Sequence, residues 1–170
     1  MEHEPENDDP WRRPNRAAWH DYRSRGGYFI TICTHQMAML FGDVHDEETQ
    51  LNPAGQVVEE WWRKLPERFP DVGLDAYIIM PNHDHGIIIL TDDGGASLPE
   101  VVQWFKTMTT NAYIRGVKTL GWPPFNRHVW KRSYFDQIIR SDRHIDNARL
   151  YIEANPFRWQ HDKYNPRQLS

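Results

Sequence analysis

The stretch Met80-Pro81-Asn82-His83-Asp84-His85-Gly86-Ile87-Ile88-Ile89-Leu90 constrains the fold of this chain more than any other. Its far end is an unbroken β-branched, apolar run, and successive side chains along a strand point to opposite faces. His83 and His85 therefore share a face that Ile87 and Ile89 continue, while Asp84, Gly86, Ile88 and Leu90 point the other way. Such a strand is expected to be buried on both sides. Two imidazoles on one face suit a single metal ion. A bare His-x-His pair is equally compatible with hydrogen-bonded core histidines, so the remaining chain has to decide between the two.

With 170 residues, 39% of them hydrophobic, the chain is long enough for one domain with a substantial core. Cys33 is the only cysteine, which excludes an intrachain disulfide and a cysteine metal knuckle and suits a reducing compartment. No apolar run approaches the roughly 20 residues needed to span a bilayer, and the N-terminus lacks a signal-peptide pattern. A soluble, cytoplasmic protein is expected.

The net charge of -4 conceals a segregated distribution. Residues 1–10 carry five acids and no Lys or Arg, and residues 31–99 carry twelve acids against three bases. By contrast, residues 11–30 hold five arginines against Asp21, and residues 100–170 hold twelve bases against six acids. Basic clusters interleaved with Trp, Tyr and Phe suit a single-stranded nucleic acid, because cations follow phosphates and ring faces stack on bases.

Met1 to Pro10 reads as a disordered acidic tail, leaving residues 11–170 as one domain. Tyr28 to Thr34 is rich in β-branched and aromatic residues and is expected to be the first strand. Residues 39–44 are expected to continue it briefly before a polar loop through Gln50. Asn52-Pro53 is a helix start, with Pro66 ending or kinking the helix. Leu74 to Met80 should form a strand, joined through Pro81-Asn82 to the histidine strand as an antiparallel hairpin.

Ser97 and Glu100 form a capping box for a second helix ending near Gly116. Its Lys106, Thr109, Thr110 and Arg115 lie off the apolar stripe. His128 to Ile139 has the composition of a strand or hairpin. Ser141-Asp142 caps a last helix that carries Tyr151 and Asn155 four residues apart, on one face, before Pro156 stops it. This order of elements implies an α+β fold, a ferredoxin-like antiparallel sheet with helices packed on one face.

A His-x-His strand, a helical tyrosine and a carboxamide one turn beyond it resemble the HUH single-strand tyrosine transposases, and in particular their REP-associated branch. The likeness covers five segments in the same order: Gly27 to Thr34, Leu51 to Gly55, Met80 to Ile88, Trp130 to Asp136 and Tyr151 to Pro156. It implies that His83, His85 and Asn155 bind a divalent cation, Mg²⁺ or Mn²⁺, and that Tyr151 attacks a DNA phosphate to leave a 5'-phosphotyrosine. It also implies a single-stranded partner folded into a palindromic hairpin, a monomer rather than a homodimer, and a bacterial cytoplasmic enzyme found at the nucleoid when bound to DNA. Phosphates of such a hairpin are expected at Arg12, Arg13, Arg16, Lys131, Arg132, Arg140, Arg143 and Arg149. Asp84 departs from the resemblance, because a hydrophobic residue commonly stands between the two histidines.

Tyr134 is the second candidate nucleophile, and His128 and His144 are further candidates to line the site. Two rival functions are a domesticated hairpin DNA or RNA binder with little or no cleavage, and a metal hydrolase activating water.

Overall fold

The computed structural model describes residues 22, 23 and 25–169. The expected acidic tail and Arg12, Arg13 and Arg16 lie outside the described residues. Four antiparallel strands form the main sheet: β1 (Gly26–Cys33), β4 (Val72–Ile79), β5 (His83–Leu90) and β6 (Phe135–Ile138), in the order β4-β5-β1-β6. The connections are α1 (Pro53–Arg63) with the short α2 (Leu65–Arg68) between β1 and β4, a tight hairpin between β4 and β5, and α3 (Leu98–Leu120) between β5 and β6. That is the ferredoxin-like split of two βαβ units expected from the sequence. Between β1 and α1 lies a separate two-stranded ribbon, β2 (Gly42–His45) with β3 (Glu48–Leu51).

The local signals place most boundaries. Asn52 Oδ1 accepts from Gly55 N–H at 2.8 Å and starts α1. Ser97 and Glu100 exchange both hydrogen bonds of the capping box at the start of α3. That helix runs past Gly116 to Leu120, and Gly121, at φ 71°, ends it in the left-handed conformation. The polar segment before Gln50 pairs as the β2-β3 ribbon instead of looping. Only Phe135–Ile138 of the expected 128–139 strand joins the sheet, together with an isolated bridge between Thr34 and Trp130.

Two cores sandwich the sheet. On one face Tyr28, Ile30, Ile32, Ile88 and Leu90 meet Val58 and Trp62 of α1 and Val101, Phe105 and Tyr113 of α3. Gly86 is required there, because a Cβ would stand 2.2 Å from the Trp62 ring. On the other face Phe29 and Ile87 meet Ala148 and Ile152 of α4 (Asp142–Arg158). The expectation of helices on one face therefore holds for α1 and α3 and is corrected for α4. Ile87 and Ile89 are apolar on the histidine face and need a helix over them.

Pro156 does not stop α4, which continues to Arg158 and into a 3-10 turn over Trp159–His161. Trp159 is buried against the His83 ring, and Asn165 Nδ2 donates to the Trp159 carbonyl at 3.0 Å. Burial of a large ring offsets the hydrogen bond that proline cannot donate.

Candidate active site

β5 places His83 and His85 at the sheet end nearest the β4-β5 hairpin, facing α4, and both are fully buried. Register with β1 puts Thr31 opposite His85 and Cys33 opposite His83. The Thr31 Oγ1 lies 2.7 Å from His85 Nδ1, and Asn82 Oδ1 lies 2.8 Å from His83 Nδ1. Asn82 is itself oriented by donating from Nδ2 to the carbonyls of Met37 and Tyr164. Its oxygen is thereby turned to His83, so the His83 proton sits on Nδ1 and Nε2 presents a lone pair. The Thr31 hydroxyl can accept the corresponding hydrogen bond from His85 and leave that Nε2 free as well.

Both imidazoles are held neutral. Burial pushes His83 well below its ordinary value, reinforced by His85 and Lys163 and opposed by Asn155. Burial lowers His85 to about 3, with Lys163 adding to the effect and Asn155 opposing it. Neutral imidazole is the form that coordinates metals.

α4 supplies the other half of the site. Asn155 is buried, and its Nδ2 donates to the Tyr151 carbonyl at 2.9 Å, which turns Oδ1 away from that bond. The amide lies close enough to both imidazoles to influence their titration, yet Asn155 Oδ1, His83 Nε2 and His85 Nε2 are each buried without completing a hydrogen bond. Three such atoms in one place are costly unless a ligand satisfies them. Two neutral imidazole nitrogens and an amide oxygen fit a divalent cation. Among the described residues no cluster of three or more His, Cys, Asp or Glu side chains could hold a metal, so an ion here would rely on the amide oxygen.

The half-buried Tyr151 ring stands edge-on to His85, with centroids 5.2 Å apart, and edge-on to Phe29 at 5.8 Å. Phe29 also stacks on His85 at 5.6 Å, so the three rings form one cluster. One chain thus brings His83, His85, Asn155 and Tyr151 together.

Several residues at the site carried no signal of their own in the sequence. Tyr164 stands with its ring 4.5 Å from that of His83, and Trp159 stacks beyond it at 6.1 Å. Lys163 lies over the Tyr164 ring and adds positive charge beside the histidines. Asn82 and Thr31 had a weak signal: a polar residue adjoining the histidine strand, and a threonine between two isoleucines of β1.

Asp84 points to the α3 face, where burial pushes its carboxyl well above the usual range; the Ile32 backbone and the Lys106 ammonium pull against that rise. Tyr134 packs in the core on that same α1/α3 face, away from the histidine pair. His128 makes an edge contact with His35 at 5.4 Å instead of lining the site. His144 Nδ1 accepts from the Arg140 backbone in the first turn of α4, and burial lowers the ring.

The expected phosphate contacts divide. Arg140 and Arg143 are exposed near the start of α4. Arg149 is a structural clamp: its Nε and Nη2 donate to both oxygens of Asp75 at 2.8 Å, tying α4 to β4, and its Nη1 donates to Asp146. Lys131 and Arg132 are exposed on the segment beside α3.

The family described as "Transposase IS200 like" matches residues 45–155, and the chain belongs to it. Its class of activity is that of a transposase. A protein of Haemophilus influenzae (strain ATCC 51907 / DSM 11121 / KW20 / Rd), described only as uncharacterized, is 35% identical, covering 89% of this chain and 92% of its own. The fold is similar to a REP-associated tyrosine transposase bound to a REP hairpin, with a TM-score of 0.61 and 17% identity over 84% of this chain and 74% of that one. It is also similar to a candidate transposase of Deinococcus radiodurans, with a TM-score of 0.52 and 15% identity over 82% of this chain and 95% of that one. No helix among the described residues is long and apolar enough to cross a membrane.

Proposed function

We propose that this transposase cuts and rejoins single-stranded DNA beside palindromic hairpins through a covalent bond to Tyr151, acting as a monomer in the cytoplasm. The observation that carries this reading is the set of three buried, unsatisfied atoms, His83 Nε2, His85 Nε2 and Asn155 Oδ1, with the Tyr151 ring against His85. Residues 11–170 would act as the single catalytic domain.

A bound Mg²⁺ or Mn²⁺ would polarise the scissile phosphate and help hold it for attack. The chain's own residues do the rest. Asn82 and Thr31 fix the imidazole rings and their tautomers. Phe29 and His85 confine the Tyr151 ring, so little rotamer freedom is lost on reaching the reactive pose. The Tyr151 oxygen forms the new bond to phosphorus as the bond to the 3'-oxygen breaks. The phenolic proton leaves to solvent, and the departing oxygen takes up a proton as a 3'-hydroxyl. A phenol has a pKa near about 10, so its deprotonation must accompany attack. The reverse attack by a 3'-hydroxyl rejoins strands without an external energy source.

Incubation of the protein with labelled single-stranded hairpins and Mg²⁺ or Mn²⁺, followed by denaturing electrophoresis and peptide mapping, tests the proposal. The expected result is a protein–DNA adduct at Tyr151, lost with chelator. Cleavage without an adduct would point to water as the nucleophile. Tight binding with no cleavage would point to a domesticated binder.

A further inference from the structure

We propose that the solvent face of α4 beside Tyr151, formed by Leu150, Ala154 and Phe157, is a stacking platform for an unpaired base of the strand that Tyr151 cuts, with Phe157 as the ring on which that base lies. The inference rests on the function proposed above.

Three large apolar side chains are strongly exposed among the described residues: Leu120 at the end of α3, and Leu150 and Phe157 on α4, at 62% and 65%. Exposed apolar side chains scattered singly are ordinary on a protein surface. Leu150 and Phe157 are not scattered. They stand seven residues apart on one helix and so fall on one strip, with the half-buried Ala154 between them. Keeping a phenyl ring and a leucine together in water forgoes the stabilisation that their burial would give, so the strip has a use for its apolar surface or a cover for it.

The strip borders the candidate nucleophile. At about 100° per residue, Asn147 and Arg158 occupy the sector between Leu150 and Tyr151, and both are exposed. Among the described residues Arg158 takes part in no ion pair. The acids of α4, Asp142, Asp146 and Glu153, all fall on the opposite flank. There Asp146 pairs with Arg149, which clamps Asp75 of β4, and Glu153 lines the groove against β4. Apolar area with an unneutralised arginine, cleared of carboxylates, matches a single strand: the cation follows the phosphates and the ring takes the face of a base.

Position and rigidity favour this occupant. Phe157 lies six residues beyond Tyr151, about 9 Å along the helix axis, within reach of a base close to the phosphate that Tyr151 attacks. Its backbone is held from the C-terminal side, because Trp159 is buried against His83 and its carbonyl accepts from Asn165 Nδ2. A backbone fixed in advance lowers the ordering cost of binding. A second copy of the chain is the poorer occupant. Two side chains fall far short of the roughly 800 Å² that each partner of a stable pair buries, and pairing the strips about a two-fold axis would bring the arginines of both copies together.

The test compares the native protein with Phe157→Ala, Phe157→Trp, Arg158→Ala and the control Leu120→Ala, which removes the third exposed apolar side chain. Fluorescence anisotropy would measure binding to a labelled DNA stem-loop carrying unpaired thymidine flanks, and to the same stem-loop with abasic flanks of equal length, which keep the phosphates and lack the bases. All four variants should melt like the native protein, since each of these side chains is exposed. Phe157→Ala should bind the thymidine-flanked DNA about tenfold to a hundredfold more weakly and the abasic one within about twofold of the native protein, and Phe157→Trp should restore the loss. Arg158→Ala should weaken both and lower the salt slope by about one. Leu120→Ala should match the native protein. Unchanged binding of thymidine flanks by Phe157→Ala would overturn the proposal, as would equal losses on the two DNAs, or a native dimer in sedimentation velocity that Phe157→Ala dissociates. Adduct formation at Tyr151 separates the two readings. If the native protein forms the adduct, an unchanged Phe157→Ala removes the platform alone; if it forms none while the base-dependent loss holds, the function falls and the strip stands as a single-strand binding surface.

Discussion

The two faces of the sheet are built on opposite terms. Towards α1 and α3 the face is a continuous aromatic and aliphatic core in which Phe105 meets Trp62 edge-on and Trp130 at a tilt. Towards α4 the apolar cluster is small, and the space beyond it holds buried nitrogen and oxygen atoms that complete no hydrogen bond. Stability is concentrated on the first face, so the second can hold groups that cost stability in the absence of a ligand. The strand between them serves both: Gly86 gives way to Trp62 on one side of β5, and His83 and His85 line the other.

Substitutions that act on one face and spare the other test this division. Tyr151→Phe should lower adduct formation by about 10³-fold or more while leaving the melting curve nearly unchanged, since only a hydroxyl is removed. A comparable loss of thermal stability would mean that the phenol is structural. Trp62→Ala should do the reverse, costing about 3–5 kcal/mol in denaturant unfolding. Should the refolded variant show less than about 1 kcal/mol, the α1/α3 face would not be the principal core.

Next in size are the residues that orient the histidines. Thr31→Val should weaken Mn²⁺ binding, measured by calorimetry, by about tenfold to a hundredfold, because His85 would lose the partner that fixes its ring. The double variant Thr31→Val/His85→Leu should abolish that binding and raise stability by about 1 kcal/mol, as an unsatisfied buried nitrogen is removed and no hydroxyl is left without its partner. If that double variant were less stable than the native protein, the imidazole would be part of the core's support and not a group held at a cost.

The smallest effect concerns the clamp between the faces' edges. Hydrogen bonds from Arg149 hold the Asp75 carboxyl below its ordinary value, against a smaller opposing effect of burial. A depressed folded value adds stability that is present above the unfolded-state value near about 3.9 and is lost as pH falls through the lower folded value. Asp75→Asn should therefore melt slightly earlier than the native protein at about pH 7, and the gap should close in acid, once the pH has fallen through the depressed Asp75 value. A gap that persisted in acid would assign the effect to the hydrogen bonds and not to charge.

Much of this was legible in the chain itself. Alternation alone put His83 and His85 on one face with Ile87 and Ile89, and helical spacing put Tyr151 and Asn155 on one side of α4. Caps at Asn52, Ser97 and Ser141 are local chemistry and appear where expected. Less was legible where tertiary contacts compete with local preference. Pro156 reads as a helix stop, yet burial of Trp159 carries the chain onward. Arg149 reads as a phosphate contact in a basic segment, and only the approach of β4 reveals Asp75 as its partner. Lys131 and Arg140 belong to one basic stretch of sequence but lie beside different helices.

By itself, then, the sequence determined the order of the strands and helices and the spacing of the four side chains, because periodicity and capping act over a few residues. Tertiary structure decided that α4 lies on the histidine face, that Asn82 and Thr31 orient the imidazoles, and that Asp75 takes Arg149. Each of those depends on residues far apart in the chain meeting across a packed sheet, and no local pattern records which of them will meet.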